Sequence, residues 1–187
     1  MKIEGRNYSF YSIVKNLFTV DECNEVIKKC NSMKMTGVKV ALPEFTEYWK
    51  GDSNRFIQKV ELTRDQIRRI NIAIDNFNYQ TYKFALHNEL LNFVARYDKP
   101  EHHIDWHRDD YETLEHLYTD IPATRITMTL GLNNKYKGGG FELKENGLIP
   151  LNTGDAVFFC SQEFHRATPI KEGVRYSLTS WRLGRRK

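Results

Sequence analysis

The stretch GLIPLNTGDAVFFC, residues 147–160, decides the fold class. Its end, AVFFC, is a short run of β-branched and aromatic residues that follows a turn-forming segment rich in Asn, Thr, Gly and Asp, as is typical of a strand. The same pattern occurs in LLNFVARY (90–97), RITMTLGL (125–132) and GVRYSLTSWRL (173–183). No helix-period segment of useful length separates these runs, so we predict an antiparallel sandwich or barrel.

Two helices are predicted ahead of this β region. Thr19 is followed three positions later by Glu22, and Thr63 by Gln66, which is the spacing of a helix-capping box. Apolar residues follow at helical spacing. They are Val20, Cys23, Ile27 and Cys30 in the first helix (19–30) and Ile67, Ile70, Ile74 and Phe77 in the second (63–77). We expect both helices to pack outside, against one sheet.

The length of 187 residues and the lack of a linker favour one domain. We divide it into a helical support of about 1–89, a β core of about 90–183 and a basic tail of 184–187. The cysteines Cys23, Cys30 and Cys160 are an odd, sparse set, and small core residues explain them better than a disulfide or a zinc site. Without a signal peptide or an apolar run near about 18 residues, we expect a soluble cytoplasmic protein without a membrane partner.

The net charge of +4 comes from the end of the sequence. The last six residues, RLGRRK, hold four of the 28 basic residues, which leaves 24 basic against 24 acidic residues in the body. Nucleic-acid-binding proteins usually carry a basic face or stripe. A nucleic-acid partner is therefore not expected.

The candidate site begins in HHIDWHRDD, residues 102–110. Here His107 and Asp109 are two positions apart, so on a strand both side chains share one face. A second such pair, His103 and Asp105, lies in the same stretch. A single His-x-Asp pair is a weak signal, and an exposed polar loop is the alternative.

The segment FHRATP, residues 164–169, supplies the third candidate ligand, His165. Two histidines and one carboxylate form the triad that binds iron(II) on one face and leaves positions open for a chelating acid and dioxygen. Further along, Arg175 and Ser177 share one strand face, where a guanidinium and a hydroxyl can bind a carboxylate. An ordinary surface arginine is the alternative for Arg175.

Several of these motifs, taken in order, resemble the core of a known family. WHRD (106–109), YKGGGFEL (136–143), LNTGDAVFFCSQEFHRATPI (151–170) and GVRYSLTSW (173–181) are similar to the iron(II)/2-oxoglutarate dioxygenases of the prolyl 4-hydroxylase-like type. The resemblance implies a mainly β double-stranded β-helix, or jelly roll, with the N-terminal helices outside. It also implies iron(II), 2-oxoglutarate and dioxygen as cofactor and cosubstrates.

The resemblance assigns residues as well. It implies iron ligation by His107, Asp109 and His165, and 2-oxoglutarate binding by Arg175 and Ser177. Trp106 matches the aromatic residue that precedes the family motif, which favours His107 and Asp109 over the pair at 103 and 105. No catalytic residue beyond the metal ligands is predicted.

The sequence also departs from the family pattern. Pro100 and Ile104 stand where many relatives have a glycine and a tyrosine that contacts 2-oxoglutarate. We predict that Thr127 supplies a hydroxyl to the cosubstrate instead. Tyr97 and Trp181 are candidates for the substrate pocket, with core packing as the alternative for Trp181.

The implied reaction is oxidative decarboxylation of 2-oxoglutarate to succinate and carbon dioxide, coupled to hydroxylation of an unactivated C–H bond. The carboxylate of Asp109 favours hydroxylation over halogenation, since a halide needs that coordination site. A prolyl or other peptide substrate, a free amino acid and a small metabolite all stay open, with residues 110–124 as candidate substrate lid. Two alternatives are a nucleic-acid oxidative demethylase and a non-catalytic metal-binding jelly roll.

Overall fold

A computed structural model describes residues 10–33, 36–40, 49–110 and 123–185. The helices are α1 (Val20–Asn31) and α2 (Arg64–Gln80). The strands are β1 (Tyr11–Val14), β2 (Thr36–Val40), β3 (Trp49–Lys59), β4 (Ala85–Tyr97), β5 (His103–His107), β6 (Ala123–Gly131), β7 (Tyr136–Gly138), β8 (Phe141–Leu143), β9 (Gly147–Ile149), β10 (Ala156–Cys160), β11 (His165–Ala167), β12 (Ile170–Gly173) and β13 (Arg175–Arg185).

One large antiparallel sheet contains most of the strands, in the order β1-β10-β6-β13-β4-β3-β5-β11-β8-β9, with β2 beside β3. The long strand β3 pairs with β4 through residues 56–59 and with β5 through residues 49–54. The sheet thereby curls into two facing layers, β1-β10-β6-β13-β4 and β5-β11-β8-β9. This arrangement confirms the predicted jelly roll.

Both predicted helices are present and lie outside the first layer. Each begins with a complete capping box, Thr19 with Glu22 and Thr63 with Gln66. Their apolar stripes bury against the outer face of β6, β10 and β13. This helix–sheet core includes Cys23, Val26, Cys30, Ile70, Ile74 and Phe77 from the helices and Ile126, Met128, Leu130, Phe158 and Leu178 from the strands.

On β6 and β13 of the same layer, the inner face is polar. Alternation along a strand sends successive side chains to opposite faces. On β6 and β13 the residues between the core positions are Thr127, Thr129, Ser177 and Thr179, and they face the second layer. The space between the two layers is therefore where a site can form.

The N-terminal part differs from the predicted helical support of 1–89. It also contributes β1, at one edge of the sheet, and β3, at its centre. The sequence of β3, WKGDSNRFIQK, has Gly, Asp and Asn, which disfavour strands by local propensity. Pairing with β4 and β5 outweighs that propensity.

The tail boundary also differs, because β13 continues to Arg185. Gly184 pairs with Leu86 and Ala123, so only 186–187 follow the last strand, and they lie outside the described residues. Arg182, whose charge the prediction assigned to the basic end, is buried beneath α2. The positive charge at the end of the chain is thus smaller than the sequence indicates.

The cysteines are as predicted. Cys23, Cys30 and Cys160 are unpaired and buried. Burial raises the pKa of the Cys23 and Cys160 thiols to about 11. None of the helices in the described part of the chain is long and apolar enough to cross a membrane.

Candidate metal centre and cosubstrate cavity

Two histidines face each other across paired strands of the second layer. His107 ends β5, His165 begins β11, and the two are direct partners in the antiparallel register. Their ring centroids are 4.1 Å apart. The register then shifts, so that Ile104 pairs with Ala167, and this bulge lets Ile104 and His107 line one cavity although three positions separate them.

The Asp109 carboxylate completes the group, but it does so from the loop after β5. The backbone N–H groups of Asp109 and Asp110 donate to the Ser161 carbonyl, at 2.9 and 3.2 Å, which fixes the loop against the end of β10. The prediction that His107 and Asp109 converge by strand alternation is therefore wrong. The turn after β5 brings them together.

The three ligand groups are spaced as one metal ion requires. Asp109 Oδ1 lies 3.5 Å from His107 Nε2, and Oδ2 lies 3.3 Å from His165 Nε2. Neighbouring ligand atoms of an octahedral ion at about 2.1 Å are about 3 Å apart. Among the described residues, this is the cluster of His, Cys, Asp and Glu side chains that could hold a metal ion, and all three members are buried.

Backbone carbonyls orient both histidines. His107 Nδ1 lies 2.8 Å from the Asp105 carbonyl oxygen, and His165 Nδ1 lies 2.9 Å from that of Glu163. A carbonyl only accepts, so each Nδ1 carries the proton and each Nε2 presents a lone pair to the centre. Asp105 thus orients His107 through its backbone carbonyl and not through its carboxylate.

The protonation states also suit a cation. Burial, and then electrostatic repulsion between the His107 and His165 rings, lowers the pKa of His107 to about 3, so His107 is neutral near pH 7. Burial alone would raise the pKa of the Asp109 carboxyl. His165, His107 and the Thr127 hydroxyl nevertheless hold it well below its usual range. A neutral imidazole beside an ionised carboxylate is the state that binds iron(II).

Two donors from the first layer bind the Oδ2 oxygen of Asp109. Thr127 Oγ1 donates to Asp109 Oδ2 at 2.9 Å, and Trp181 Nε1 donates to the same oxygen at 3.0 Å. The prediction that the Thr127 hydroxyl binds the cosubstrate needs correction, because this hydroxyl donates to the metal-binding carboxylate of Asp109. The neighbouring threonine on that face, Thr129, lines the cavity.

The cavity between the layers has a volume of about 530 Å³, including its open mouth. Besides the three ligands, it is lined by Arg55, Phe93, Ala95, Tyr97, Ile104, Thr129, Phe141, Arg166, Ala167, Arg175, Ser177, Thr179 and Trp181. All of the predicted site residues except Thr127 therefore line one space.

The predicted cosubstrate clamp fits a carboxylate. Arg175 is only 4% exposed, and its guanidinium lies 4.8 Å from the centroid of the Tyr97 ring. Among the described residues, no hydrogen-bond partner reaches Arg175 Nη1. A buried, unpartnered guanidinium nitrogen is costly unless an anion binds it. Ser177, 3% exposed on the same strand face, is placed to add a hydroxyl.

Gly139 makes room for this clamp. Its φ is +60°, and a Cβ there would lie 3.0 Å from Arg175 Cδ and 2.7 Å from Ile170 Cδ1. A larger residue would therefore press on the arginine.

Other lining residues were missed by sequence reasoning. Residues two positions apart on a strand share one face, so Ser177 points to Thr179 and Thr127 points to Thr129 as further lining residues. Arg55 lies on β3, which was not predicted, so no signal pointed to it. The predicted lid, 110–124, lies outside the described residues except at its ends, 110 and 123–124.

Comparisons with known proteins agree with this geometry. Residues 93–182 match the family model described as "2OG-Fe(II) oxygenase superfamily". No curated protein sequence matches the chain.

Among solved structures, a viral collagen prolyl hydroxylase from Paramecium bursaria Chlorella virus-1 in a 2OG complex is similar, with a TM-score of 0.66 and 15% identity over 93% of this chain and 96% of that one. A Pseudomonas putida prolyl-4-hydroxylase has a TM-score of 0.65 and 18% identity over 96% and 94%. A Trichoplax adhaerens prolyl hydroxylase, solved with a hypoxia inducible factor peptide fragment, has a TM-score of 0.66 and 16% identity over 95% and 85%. These likenesses establish the fold.

Proposed function

We propose that this chain, which belongs to the 2OG-Fe(II) oxygenase superfamily through its residues 93–182, hydroxylates a prolyl residue in a peptide. The chain is a 2-oxoglutarate-dependent dioxygenase that uses iron(II), 2-oxoglutarate and dioxygen. The nature of its substrate is the part that we infer.

One observation carries the proposal: a His/Asp/His metal-binding cluster and a buried arginine with an unpartnered nitrogen share one cavity. When bound, iron(II) supplies the oxidative chemistry that couples 2-oxoglutarate decarboxylation to C–H hydroxylation. His107 and His165 offer it Nε2 lone pairs, and Asp109 offers a carboxylate oxygen. Iron(II) held by these three side chains would keep coordination positions free for a chelating keto acid and dioxygen.

The other residues bind, orient and exclude water. Arg175 and Ser177 hold the distal carboxylate of 2-oxoglutarate, and the Tyr97 ring packs against the guanidinium. Phe93, Phe141 and Trp181 give the cavity apolar walls, which limit the access of water to the metal.

A peptidyl proline is supported as the substrate by the solved structures similar to this chain. Three of them are prolyl hydroxylases by name, and one of these holds a peptide. A pyrrolidine ring would meet the apolar walls.

The test is turnover on peptides. The protein is incubated with iron(II), 2-oxoglutarate, dioxygen and proline-containing peptides, each matched by a peptide with alanine in place of proline. We expect one oxygen atom to be added to the proline peptides, one succinate to be released per hydroxylation, and His165→Ala to abolish both. Oxygen transfer to the alanine peptides alone, or to a free amino acid or small metabolite alone, would contradict the peptidyl-proline assignment.

The alternative function, oxidative demethylation of nucleic acid, is tested by adding an alkylated oligonucleotide to the same assay. Succinate release stimulated by that oligonucleotide, and not by peptides, would favour oxidative demethylation. The cytoplasmic location also stays a prediction, which fractionation of the source cells tests.

A further inference from the structure

Arg55 on β3 is a cavity-lining arginine that the proposed reaction does not yet use. Residues two positions apart on a strand share one face, so Arg55 faces the same way as Ile57. Ile57 packs with three residues that also line the cavity, which are Ala95, Tyr97 and Ile104. Between them, Phe56 lies on the other face of β3, with its ring 4.7 Å from the Arg96 guanidinium. The alternation along β3 therefore directs Arg55 inward.

Arg55 and the arginine of the cosubstrate clamp lie on either side of Tyr97. Phe56 is the register partner of Arg96, so the preceding residue, Arg55, comes next to Tyr97. Arg175 is the register partner of Tyr97 from the opposite side, on β13. Neighbouring strands are about 4.8 Å apart, so the backbones of the two arginines are roughly 10 Å apart. This separation suits two anionic groups better than one.

The two arginines also differ in depth. Arg175 is only 4% exposed, whereas Arg55 is half-buried. The distal carboxylate of 2-oxoglutarate binds at Arg175, with Ser177 beside it. Arg55 is accessible to a group that enters the cavity after the cosubstrate.

The charges of the cavity lining favour an anionic substrate. The lining has three arginines, Arg55, Arg166 and Arg175, and one carboxylate, Asp109. Iron(II) and the 2-oxoglutarate dianion add charges that cancel. Arg166 forms an ion pair with Glu142, in which Nε and Oε2 are 2.7 Å apart. With Asp109 set against Arg175, the lining still presents Arg55 to the substrate, and a positive wall in a partly enclosed cavity attracts anions.

The guanidinium of Arg55 has enough donors for a substrate. A guanidinium carries five N–H groups in a planar fork, and a carboxylate uses two of them. Arg55 also interacts with other groups of the protein. A substrate carboxylate therefore does not need to displace the contacts that position this arginine.

We propose that Arg55 is a specificity-determining residue that binds a carboxylate which the substrate carries next to the hydroxylated residue. In a peptide, this carboxylate is the side chain of an Asp or Glu beside the target proline. The inference rests on the proposed prolyl hydroxylation for the target residue, and it adds an acidic neighbour. The proline ring then meets the apolar walls at Phe93 and Trp181, while Arg55 fixes the adjoining part of the peptide.

The experiment changes the charge at Arg55 and leaves the cosubstrate clamp intact. Arg55→Gln removes the charge, Arg55→Lys keeps the charge but loses the planar fork, and Arg55→Glu reverses the charge. The matched control is Arg96→Gln on the neighbouring strand. The Arg96 guanidinium lies outside the cavity, against the Phe56 ring and 3.0 Å from the Asp98 carboxylate.

The first measurement is peptide binding without turnover. Each protein is loaded anaerobically with Co(II) and 2-oxoglutarate, and fluorescein-labelled proline peptides are titrated by fluorescence polarisation. The peptides have Glu directly before or directly after the proline, and each is matched by a peptide with Gln at that position. Because a hydrogen bond to a charged group changes affinity by about tenfold or more, we expect one Glu peptide to bind the parent about tenfold more tightly than its Gln counterpart.

The variants should change this preference in a defined order. Arg55→Gln should bind the Glu and Gln peptides within about twofold of each other. Arg55→Lys should retain part of the preference, and Arg55→Glu should instead prefer a peptide with Lys at the same position. Arg96→Gln should keep the parental preference.

The second measurement separates the substrate carboxylate from that of the cosubstrate. 2-Oxoglutarate is titrated into each Co(II) protein without peptide. Arg55→Gln should bind 2-oxoglutarate as tightly as the parent, and Arg175→Gln should bind it more weakly. Equal losses in Arg55→Gln and Arg175→Gln would assign Arg55 to the cosubstrate clamp and overturn the inference.

Turnover on the same peptides distinguishes the possible failures. A parent that hydroxylates proline peptides without preferring Glu to Gln would overturn this inference and leave prolyl hydroxylation intact. A parent that hydroxylates no proline peptide would overturn both. Oligonucleotide binding that is lost in Arg55→Gln, without a preference for Glu peptides, would assign the arginine to a phosphate and also overturn the inference. If Arg55→Gln does not fold, the Glu-to-Gln preference of the parent and of Arg55→Lys decides the outcome.

Discussion

Along β6 and β13, residues that face the helices alternate with residues that face the cavity, and the first set is apolar while the second is largely polar. Ile126, Met128, Leu130 and Leu178 face α1 and α2 and form the main core. Thr127, Thr129, Ser177, Thr179 and Trp181 face the other layer and form the site. Stability therefore depends on one face and chemistry on the other. Substitutions at adjacent positions should separate the two properties.

The largest effect is expected on the helix-facing side. Leu178 is fully buried in the helix–sheet core, so Leu178→Ala should lower the free energy of unfolding by about 2–5 kcal/mol. Its neighbour Ser177 faces the cavity, and Ser177→Ala should change stability by less than about 1 kcal/mol while weakening 2-oxoglutarate binding. Urea unfolding and ligand titration measure both. Equal losses of stability in Leu178→Ala and Ser177→Ala would contradict the proposal that the two faces have separate roles.

Two arginines on β13 give the next comparison. Arg175→Ala should weaken 2-oxoglutarate binding by about 2–4 kcal/mol, because the ligand carboxylate loses its buried partner, and should change iron affinity little. Arg182 on the opposite face contacts Asn71 and Asp75 of α2. Arg182→Ala should therefore lower stability and leave 2-oxoglutarate affinity unchanged. Unaltered 2-oxoglutarate affinity in Arg175→Ala would place the clamp elsewhere.

Acid should destabilise the protein through the metal site and not through the helix–sheet core. His107 has a pKa of about 3 when folded, because of burial and then His165, against about 6.5 when unfolded. The unfolded chain thus takes up the proton first. Stability of the metal-free protein is complete above about pH 6.5 and declines as pH falls toward 3. Asp109, whose folded pKa is lowered, adds a further loss below about pH 3.9.

Urea unfolding between pH 4 and 8 measures this decline. His107→Gln should flatten it, whereas Leu178→Ala should lower stability at every pH without changing the slope. A parental slope in His107→Gln would assign the acid sensitivity to another group.

The smallest effect is expected outside both faces. Removing Arg186 and Lys187 takes away two basic residues without shortening β13. We predict unchanged iron and 2-oxoglutarate binding and only weak, nonspecific nucleic-acid affinity in either form. Fluorescence polarisation with labelled DNA and RNA across a salt series is the measurement. Tight binding at physiological salt, with a log–log slope near −0.7 to −0.9 per phosphate contact, would reverse the assignment of substrate class.

The sequence predicted the features that local patterns encode. Capping boxes located both helices, and short β-branched and aromatic runs located β4, β6, β10 and β13. The order of motifs identified His107, Asp109, His165 and Arg175, which the structure brings into one cavity. The spacing of a single His-x-Asp pair did not suffice for this, and the resemblance of the ordered motifs to a known family favoured His107 and Asp109 over His103 and Asp105.

The missed features depend on tertiary contacts. β3 is polar and contains Gly51, and it forms a strand because it pairs on both sides. Strand alternation placed Thr127 on the cavity face but could not show that the loop after β5 carries Asp109 to its hydroxyl. The role of Trp181 as a donor to Asp109 likewise needs the two layers assembled.

The most direct test of the metal and cosubstrate site is an anaerobic titration of the protein with iron(II) and then 2-oxoglutarate, followed by visible absorption. The account predicts a weak charge-transfer band from the chelated keto acid in the parent and in Asp105→Ala. The band should be lost in His107→Ala, Asp109→Ala and His165→Ala, each still folded. A band that persists in Asp109→Ala and disappears in Asp105→Ala would contradict the account and move the metal to the other histidine–aspartate pair.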